Sequence, residues 1–265
     1  METVALLSQY GTLTVLSLIL LSFIAGFIDA VVGGGGLISI PTLLINLPQI
    51  PLPTLFGTNK IAALAGTSIS AVQYSKRIKF NYPLLLTIAA CSGLASFLGA
   101  KTVTRIDLNT LKPLILIILI LIAIYTVLKK DLGAIQTKTL TFKKKLIYGS
   151  MLGIVIGFYD GFFGPGTGSF FVLGFVVILG FEFIEASAYS KVINCMTNIT
   201  ALIVFIRQGN YILEIAILMA FFNIAGSLVG TRIALKKGNG FIRILFLVIV
   251  SLMIIRYGYD ILMGV

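Results

Sequence analysis

Ten apolar segments, separated by short polar stretches, constrain the fold of this chain more than any other feature of its sequence. They span 13–32, 37–47, 55–74, 84–103, 114–128, 146–163, 168–179, 186–206, 211–235 and 244–263. A helix needs about 20 apolar residues to cross the roughly 30 Å of hydrocarbon in a bilayer, and most segments are long enough. Only 11% of the 265 residues are charged, whereas soluble domains carry roughly 25%. The sequence therefore predicts an all-α, multi-pass integral membrane protein.

The absence of histidine narrows the possible chemistry further. A Ser–His catalytic relay, a His-ligated zinc protease and a haem with axial His all need that residue. Cys91 and Cys195 lie far apart inside apolar segments and form no CxxC pair, which favours small buried side chains over a metal site. We therefore expect no enzyme activity, no cofactor and no bound metal. The net charge of +11 favours basic loops at the membrane surface over a nucleic-acid partner.

A repeated motif divides the chain into two halves. Residues 26–35 (GFIDAVVGGG) align with residues 157–166 (GFYDGFFGPG), and five of the ten positions are identical. An odd number of crossings in each half makes the second half enter the membrane in the opposite direction, as in many secondary transporters. We therefore predict two inverted repeats of five segments each, 1–128 and 146–265, joined by a basic cytoplasmic linker, 129–145.

Lysine and arginine residues indicate the orientation of the chain in the membrane. Loops rich in these residues stay in the cytoplasm, and here they follow the third, fifth and ninth segments. The basic residues of these loops are Lys76, Arg77, Lys79, the six lysines of 129–145, Lys236, Lys237 and Arg243. We expect these loops on the cytoplasmic face of the plasma (inner) membrane and both termini outside.

Glycine-rich stretches interrupt the apolar pattern at matching places in the two halves. Each stretch precedes a segment of about a dozen residues, which is too short to cross the bilayer and predicts a re-entrant or broken helix. A helix that restarts inside the membrane directs free N–H groups and a partial positive charge toward an anion. The candidate anion-binding glycines are Gly33, Gly34, Gly35, Gly164, Gly166 and Gly168. The alternative is that these glycines only allow close helix packing.

Asp29 and Asp160 lie shortly before these glycines, and the chain contains only nine acidic residues. A carboxylate at membrane depth costs about 2.5–3.5 kcal/mol and is functional by default. We therefore predict coupling or gating roles: proton carriage, sodium coordination, or pairing with a lysine that faces a cavity. The alternative is that both carboxylates cap loops near the membrane interface.

Lys60 and Lys191 each open a long apolar segment, again at matching positions. Helical spacing places Thr67 on the face of Lys60, and a cation with hydroxyl and amide groups on one stripe suits an oxyanion. The predicted substrate-binding side chains are Asn59, Lys60, Thr67, Lys191, Asn194 and Asn198. The alternative is that the lysines extend to the membrane interface and that Asn59 only joins helices.

The paired glycine–aspartate motifs, together with Gly-Thr-Asn-Lys at 57–60, resemble the sulfite exporter TauE/SafE family of bacterial and archaeal membrane transporters. The similarity covers about 22–258. It implies export of sulfite, of sulfonates such as sulfoacetate, or of related small organic anions. The second half departs from the family's Asn-Lys pattern, because Ser190 precedes Lys191.

The sequence and this resemblance together predict a secondary transporter that exports a small anion. Efflux of one negative charge from a negative cell interior gains about 2.3 kcal/mol per 100 mV, whereas uptake needs a coupling ion. A passive anion channel and a proton- or sodium-coupled anion importer are the alternatives, and a membrane scaffold is a third. The expected partners are a small anionic substrate, the lipid bilayer, H⁺ or Na⁺ as a candidate coupling ion, and a second copy in a candidate homodimer.

Overall fold

The computed structural model describes residues 10–103 and 140–263, which form helices and contain no strand. The helices are α1 (Thr12–Val32), α2 (Gly36–Asn46), α3 (Leu52–Ser75), α4 (Tyr82–Thr102), α5 (Phe142–Phe162), α6 (Thr167–Gly174), α7 (Phe183–Arg207) and α8 (Leu213–Met263). A π-helical turn, Phe175–Leu179, continues α6. Within α8 the backbone leaves helical geometry at Gly238, where φ is 77°. The predicted all-α class is confirmed.

The apolar segments account for the helices that the structure describes. Four of these helices are long and apolar enough to cross a membrane: Thr12–Val32, Tyr82–Thr102, Phe183–Arg207 and Leu213–Leu245. The predicted segment 114–128 and most of the linker 129–145 lie outside the described residues. Helix α5 begins at Phe142, so that its first turn includes the last lysines of the linker.

The two short segments form short helices. Helix α2 has 11 residues and a length of about 17 Å, and α6 with its π-helical turn covers Thr167–Leu179. Neither reaches across about 30 Å of hydrocarbon. Both follow a glycine-rich break, so each glycine stretch is the start of a helix that remains inside the bundle.

Helices from opposite halves pack in matched pairs. Helix α1 packs most extensively on α8, and α4 packs most extensively on α5. A methyl group at Gly26 of α1 would overlap the carbonyl oxygen of Asn223, and one at Gly157 of α5 would overlap that of Ser92. These two contacts are related by the same interval of 131 residues that relates the sequence motifs. Small residues thus let the backbones approach closely at equivalent points.

The outer faces of the bundle expose large apolar side chains. Leu13 on α1, Leu94 on α4 and Phe221 on α8 are 85%, 71% and 69% exposed. Singly exposed leucines are normal in soluble proteins, but α1, α4, α5, α7 and α8 each carry three or more large apolar side chains of this kind. Such apolar faces are suited to contact with lipid. The buried polar side chains of these helices lie in the interior of the bundle instead.

Candidate functional site

The two glycine-rich breaks cross each other at the centre of the bundle. Gly33 ends α1 with φ at 83°, a left-handed conformation that glycine adopts without a steric penalty. The backbone N–H of Ser169 in α6 donates to the carbonyl oxygen of Gly33 at 2.9 Å. A methyl group on Gly33 would overlap the backbone of Gly168, and one on Gly168 would overlap Gly33. The two breaks are therefore in direct backbone contact.

Side chains from other helices satisfy the carbonyl groups at the end of α1. The hydroxyl of Tyr74 donates to the carbonyl oxygen of Ala30 at 3.1 Å. The Ser187 hydroxyl donates to Val31 at 3.3 Å, and the Ser169 hydroxyl donates to Val32 at 3.0 Å. A helix end leaves its last carbonyls without intrahelical partners, and lipid offers none. These hydroxyls let α1 end inside the bundle.

Two lysine–aspartate pairs connect the halves near these breaks. Lys60 Nζ in α3 lies 2.7 Å from Asp160 Oδ2 in α5, and Lys191 Nζ in α7 lies 3.2 Å from Asp29 Oδ2 in α1. Each pair joins a lysine of one half to the aspartate of the other, and the partners are related by the 131-residue interval. Removing one member of a buried pair typically costs about 3–5 kcal/mol because the other charge remains buried. Each aspartate is thus paired with a lysine, and its predicted role in coupling or gating stays a prediction.

The two pairs differ in their surroundings. The side chain of Lys191 is fully buried, and it also donates to the backbone carbonyl oxygen of Asp29. Asp29 Oδ2 accepts a further hydrogen bond from the Thr67 hydroxyl at 3.0 Å. Lys60 has a single hydrogen-bond partner within the described residues, the carboxylate of Asp160. The two lysines occupy matching positions in the sequence, but their contacts differ.

A cavity of about 40 Å³ lies beside these pairs. One water needs about 10–15 Å³, so the cavity has room for a few waters or one small anion. It is lined by most of the predicted site residues: Asp29, Gly33, Asn59, Lys60, Thr67, Asp160, Gly164, Gly166, Gly168, Asn194 and Asn198. The fold therefore brings residues from both halves to one polar centre.

Three predicted site residues do not line this cavity: Gly34, Gly35 and Lys191. The carbonyl oxygen of Gly34 accepts from the N–H of Leu37 in the first turn of α2. A methyl group on Gly35 would lie 2.6 Å from the carbonyl oxygen of Ala25, so this glycine allows α2 to approach α1. Lys191 is held at the end of α1 by its two contacts with Asp29.

An apolar wall and one hydroxyl of the cavity were not identified from the sequence. The rings of Phe56 and Phe163 meet edge to face with centroids 6.0 Å apart, and both line the cavity with Ile40. Phenylalanine in an apolar segment looks like ordinary core, so no signal marked these residues. Thr167 also lines the cavity, and its position in the Gly-Pro-Gly-Thr-Gly motif was the available signal.

Three buried asparagines, Asn59, Asn194 and Asn198, line the cavity. The Oδ1 atom of Asn194 has no hydrogen-bond partner within 10–103 and 140–263. A buried polar group without a partner costs about 1–3 kcal/mol, so a water or ligand in the cavity that donates to this oxygen would lower the free energy of the site. A side-chain amide presents donors and an acceptor and is able to bind either.

Comparison with known proteins now identifies the family. The model of the sulfite exporter TauE/SafE family matches residues 18–257. The chain belongs to the TauE/SafE family. This finding confirms the resemblance that the glycine–aspartate motifs indicated, and it makes the protein a membrane transporter.

Curated relatives match over nearly their whole length. The chain is 40% identical to a probable membrane transporter protein, ORF9, of Sinorhizobium sp. over 87% of each chain. It is 32% identical to a probable membrane transporter protein of Haemophilus influenzae, over 90% of this chain and 92% of that one. It is also 32% identical to the probable membrane transporter protein YfcA of Escherichia coli K12, over 98% and 95%. No solved structure matches the chain with significance.

Proposed function

We propose that this TauE/SafE protein is a secondary transporter that exports a small sulfur-containing or carboxylic anion across the plasma membrane. The observation that carries the proposal is a buried ammonium group, that of Lys60, on the wall of a cavity at the crossing of the two glycine breaks. A lysine charge is rarely buried unless a negative partner compensates it. The cavity gives this cation space for an anionic ligand.

The chemistry of the cavity supports a small oxyanion. Lys60 supplies the positive charge, and the amides of Asn59, Asn194 and Asn198 supply hydrogen-bonding groups around it. The phenyl rings that also line the cavity suit a substituent without charge, such as the methyl group of a sulfonate. Sulfite, a small sulfonate and a small carboxylate all combine an oxyanion with little bulk.

The matched contacts support two repeats related by the interval of 131 residues, and we propose that these are inverted repeats of five segments with the linker 129–145 on the cytoplasmic side. Helix α1 packs on α8 as α5 packs on α4. The two lysine–aspartate pairs are related by the same interval of 131 residues as the sequence motifs. In inverted-repeat transporters the substrate lies at the repeat interface, and one bundle rocks against the other around it. The crossing of Gly33 and Gly168 is the corresponding point here.

The proposal is tested by counterflow in proteoliposomes. Vesicles preloaded with unlabelled sulfite take up radiolabelled sulfite, and the wild type is compared with Lys60→Ala. Lys143→Ala is the control, because Lys143 is exposed at the start of α5 and its removal changes the net charge equally. We expect saturable counterflow that only Lys60→Ala loses. The double variant Lys60→Met/Asp160→Asn removes both charges of the pair, so it separates loss of the anion site from misfolding.

Other outcomes discriminate among the alternatives. Counterflow with sulfonates or carboxylates but not with sulfite keeps the carrier and changes the substrate. Flux that does not saturate and shows no counterflow supports an anion channel. Folded protein that moves none of these anions contradicts the proposed function and favours a scaffold.

A further inference from the structure

The two lysine–aspartate pairs are equivalent in sequence but not in structure, and this difference assigns them different roles. We propose that an anion in the cavity displaces Asp160 from Lys60 and that Asp160 then takes up a proton, so that one proton moves with each monovalent anion. The Lys191–Asp29 pair stays closed and holds the two halves together. This inference rests on the proposed anion transport by the same cavity.

Competition for Lys60 is the first step. Its ammonium group lines the cavity, and its hydrogen bond to Asp160 at 2.7 Å is its only one in the described parts of the chain. An anion bound in the cavity is attracted to the same ammonium group. The side chains of Lys60 and Asp160 are each only 6% exposed, so water does little to screen three charges gathered there. The anion and the Asp160 carboxylate therefore repel each other and compete for the Lys60 ammonium group.

The net charge of the Lys60–Asp160 centre favours protonation of the displaced carboxylate. The empty pair is neutral, whereas the pair with a monovalent anion carries one net negative charge. A proton on Asp160 makes the loaded centre neutral again. An uncompensated charge is costly inside a membrane protein. We therefore expect the Lys60–Asp160 centre to be neutral, both empty and loaded, when the transporter changes the side of the membrane to which it opens. The proton comes from water on the loading side and leaves to water on the release side, with no bond other than the O–H formed or broken.

No second cation is available to stabilise a displaced Asp160 carboxylate among the residues described around the cavity. From α1 the facing titratable group is Asp29, which adds negative charge. From α7 it is Lys191, whose ammonium group is bound to Asp29. Helix α4 faces this turn of α5 with Ser96, and α6 contributes Thr167; neither is charged.

Asp29 does not share this role, although it also lines the cavity. Its carboxylate keeps two donors, Lys191 Nζ and the Thr67 hydroxyl. Lys191 also binds the backbone carbonyl oxygen of Asp29 and does not line the cavity, so an anion there has no access to it. This pair therefore stays closed in both states.

The coupling changes the driving force of transport. Movement of a monovalent anion together with one proton is electrically neutral, so the membrane potential neither drives nor opposes it. Export then follows the product of the anion and proton gradients. A uniporter behaves differently, since its equilibrium accumulation changes about 50-fold per 100 mV.

The test measures anion and proton movement in the same proteoliposomes. The probe is radiolabelled methanesulfonate, whose charge is fixed over the working pH range, with sulfite in parallel. A trapped pH dye reports protons, and potassium with valinomycin sets the potential. We expect one proton per methanesulfonate and an accumulation that is unchanged by 100 mV. Anion flux without protons, and with the 50-fold potential dependence, overturns the inference but leaves the proposed function intact. Absence of flux with methanesulfonate, with sulfite and with the panel of other sulfonates and carboxylates contradicts the proposed function itself.

Two matched variants assign the proton to one aspartate. Asp160→Asn leaves Lys60 unpaired in the empty state, so we expect anion exchange to continue while net flux falls at least about tenfold and proton movement disappears. Asp29→Asn weakens the other pair, and we expect fewer folded molecules with an unchanged ratio of protons to anions. If Asp29→Asn abolishes proton movement while Asp160→Asn retains it, the assignment is wrong. If either variant fails to fold, the wild-type stoichiometry still decides the proposal.

Discussion

Replacing Lys191 with methionine tests how much the Lys191–Asp29 pair stabilises the fold. The substitution preserves much of the side-chain volume but leaves the Asp29 carboxylate, which is 15% exposed, with the Thr67 hydroxyl as its remaining side-chain donor. Breaking a buried ion pair costs about 3–5 kcal/mol. Because Asp29 is slightly exposed and keeps one hydrogen bond, we expect a loss of about 3 kcal/mol in the free energy of unfolding.

The assay is reversible unfolding in mixed detergent micelles, followed by the helical signal in circular dichroism. Lys143→Met is the control; its side chain is exposed, so we expect a change within about 0.5 kcal/mol. The double variant Lys191→Met/Asp29→Asn removes both charges and is expected to recover at least about 1 kcal/mol relative to the sum of the single losses. A loss below about 1 kcal/mol for Lys191→Met, or strict additivity in the double variant, would refute the reasoning.

The same geometry supports three further predictions. Gly168→Ala introduces a methyl group that overlaps the backbone of Gly33, so we expect little folded protein by size-exclusion chromatography, whereas Gly240→Ala, at an exposed helical position where no atom lies within 4 Å, tests whether added bulk alone is harmful. Ser169→Ala removes the hydroxyl that donates to Val32, and we expect a loss of about 1–3 kcal/mol in the unfolding assay; no loss would show that this carbonyl needs no cap. Asn194→Leu removes the amide N–H donors that an anion would use, together with the amide oxygen that has no partner among the described residues, so we expect weaker anion binding in counterflow with unchanged or higher stability; unchanged binding would contradict a role in the site.

The sequence predicted the helices well because length and apolar content largely determine a helix in a membrane. The glycine runs were equally informative, since four consecutive glycines at 33–36 interrupt a helix whatever surrounds them. Both short helices, α2 and α6, result from that local chemistry. These features depend on neighbours in sequence, so they required no knowledge of the tertiary fold.

The partners of the charged residues were not predictable in the same way. The 131-residue interval showed that Lys60 matches Lys191 and Asp29 matches Asp160, but not that each lysine binds the aspartate of the other half. Nor did the repeat indicate that one pair faces a cavity while the other closes a helix end. That difference arises from substitutions between matched positions of the two halves, such as Phe56 in one half and Ser187 in the other, whose side chains line the cavity and cap α1 respectively.

The most direct measurement of the central claim is the position of a bound anion. Selenite is a close analogue of sulfite, and at the selenium absorption edge its anomalous X-ray signal is far stronger than that of the sulfur atoms of the protein. We predict a selenium peak in the cavity within hydrogen-bonding distance of Lys60 Nζ, with the Asp160 carboxylate moved away from that ammonium group and the Lys191–Asp29 pair unchanged. A cavity that stays empty at saturating selenite, or a peak beside Lys191 instead, would contradict an anion site built on Lys60.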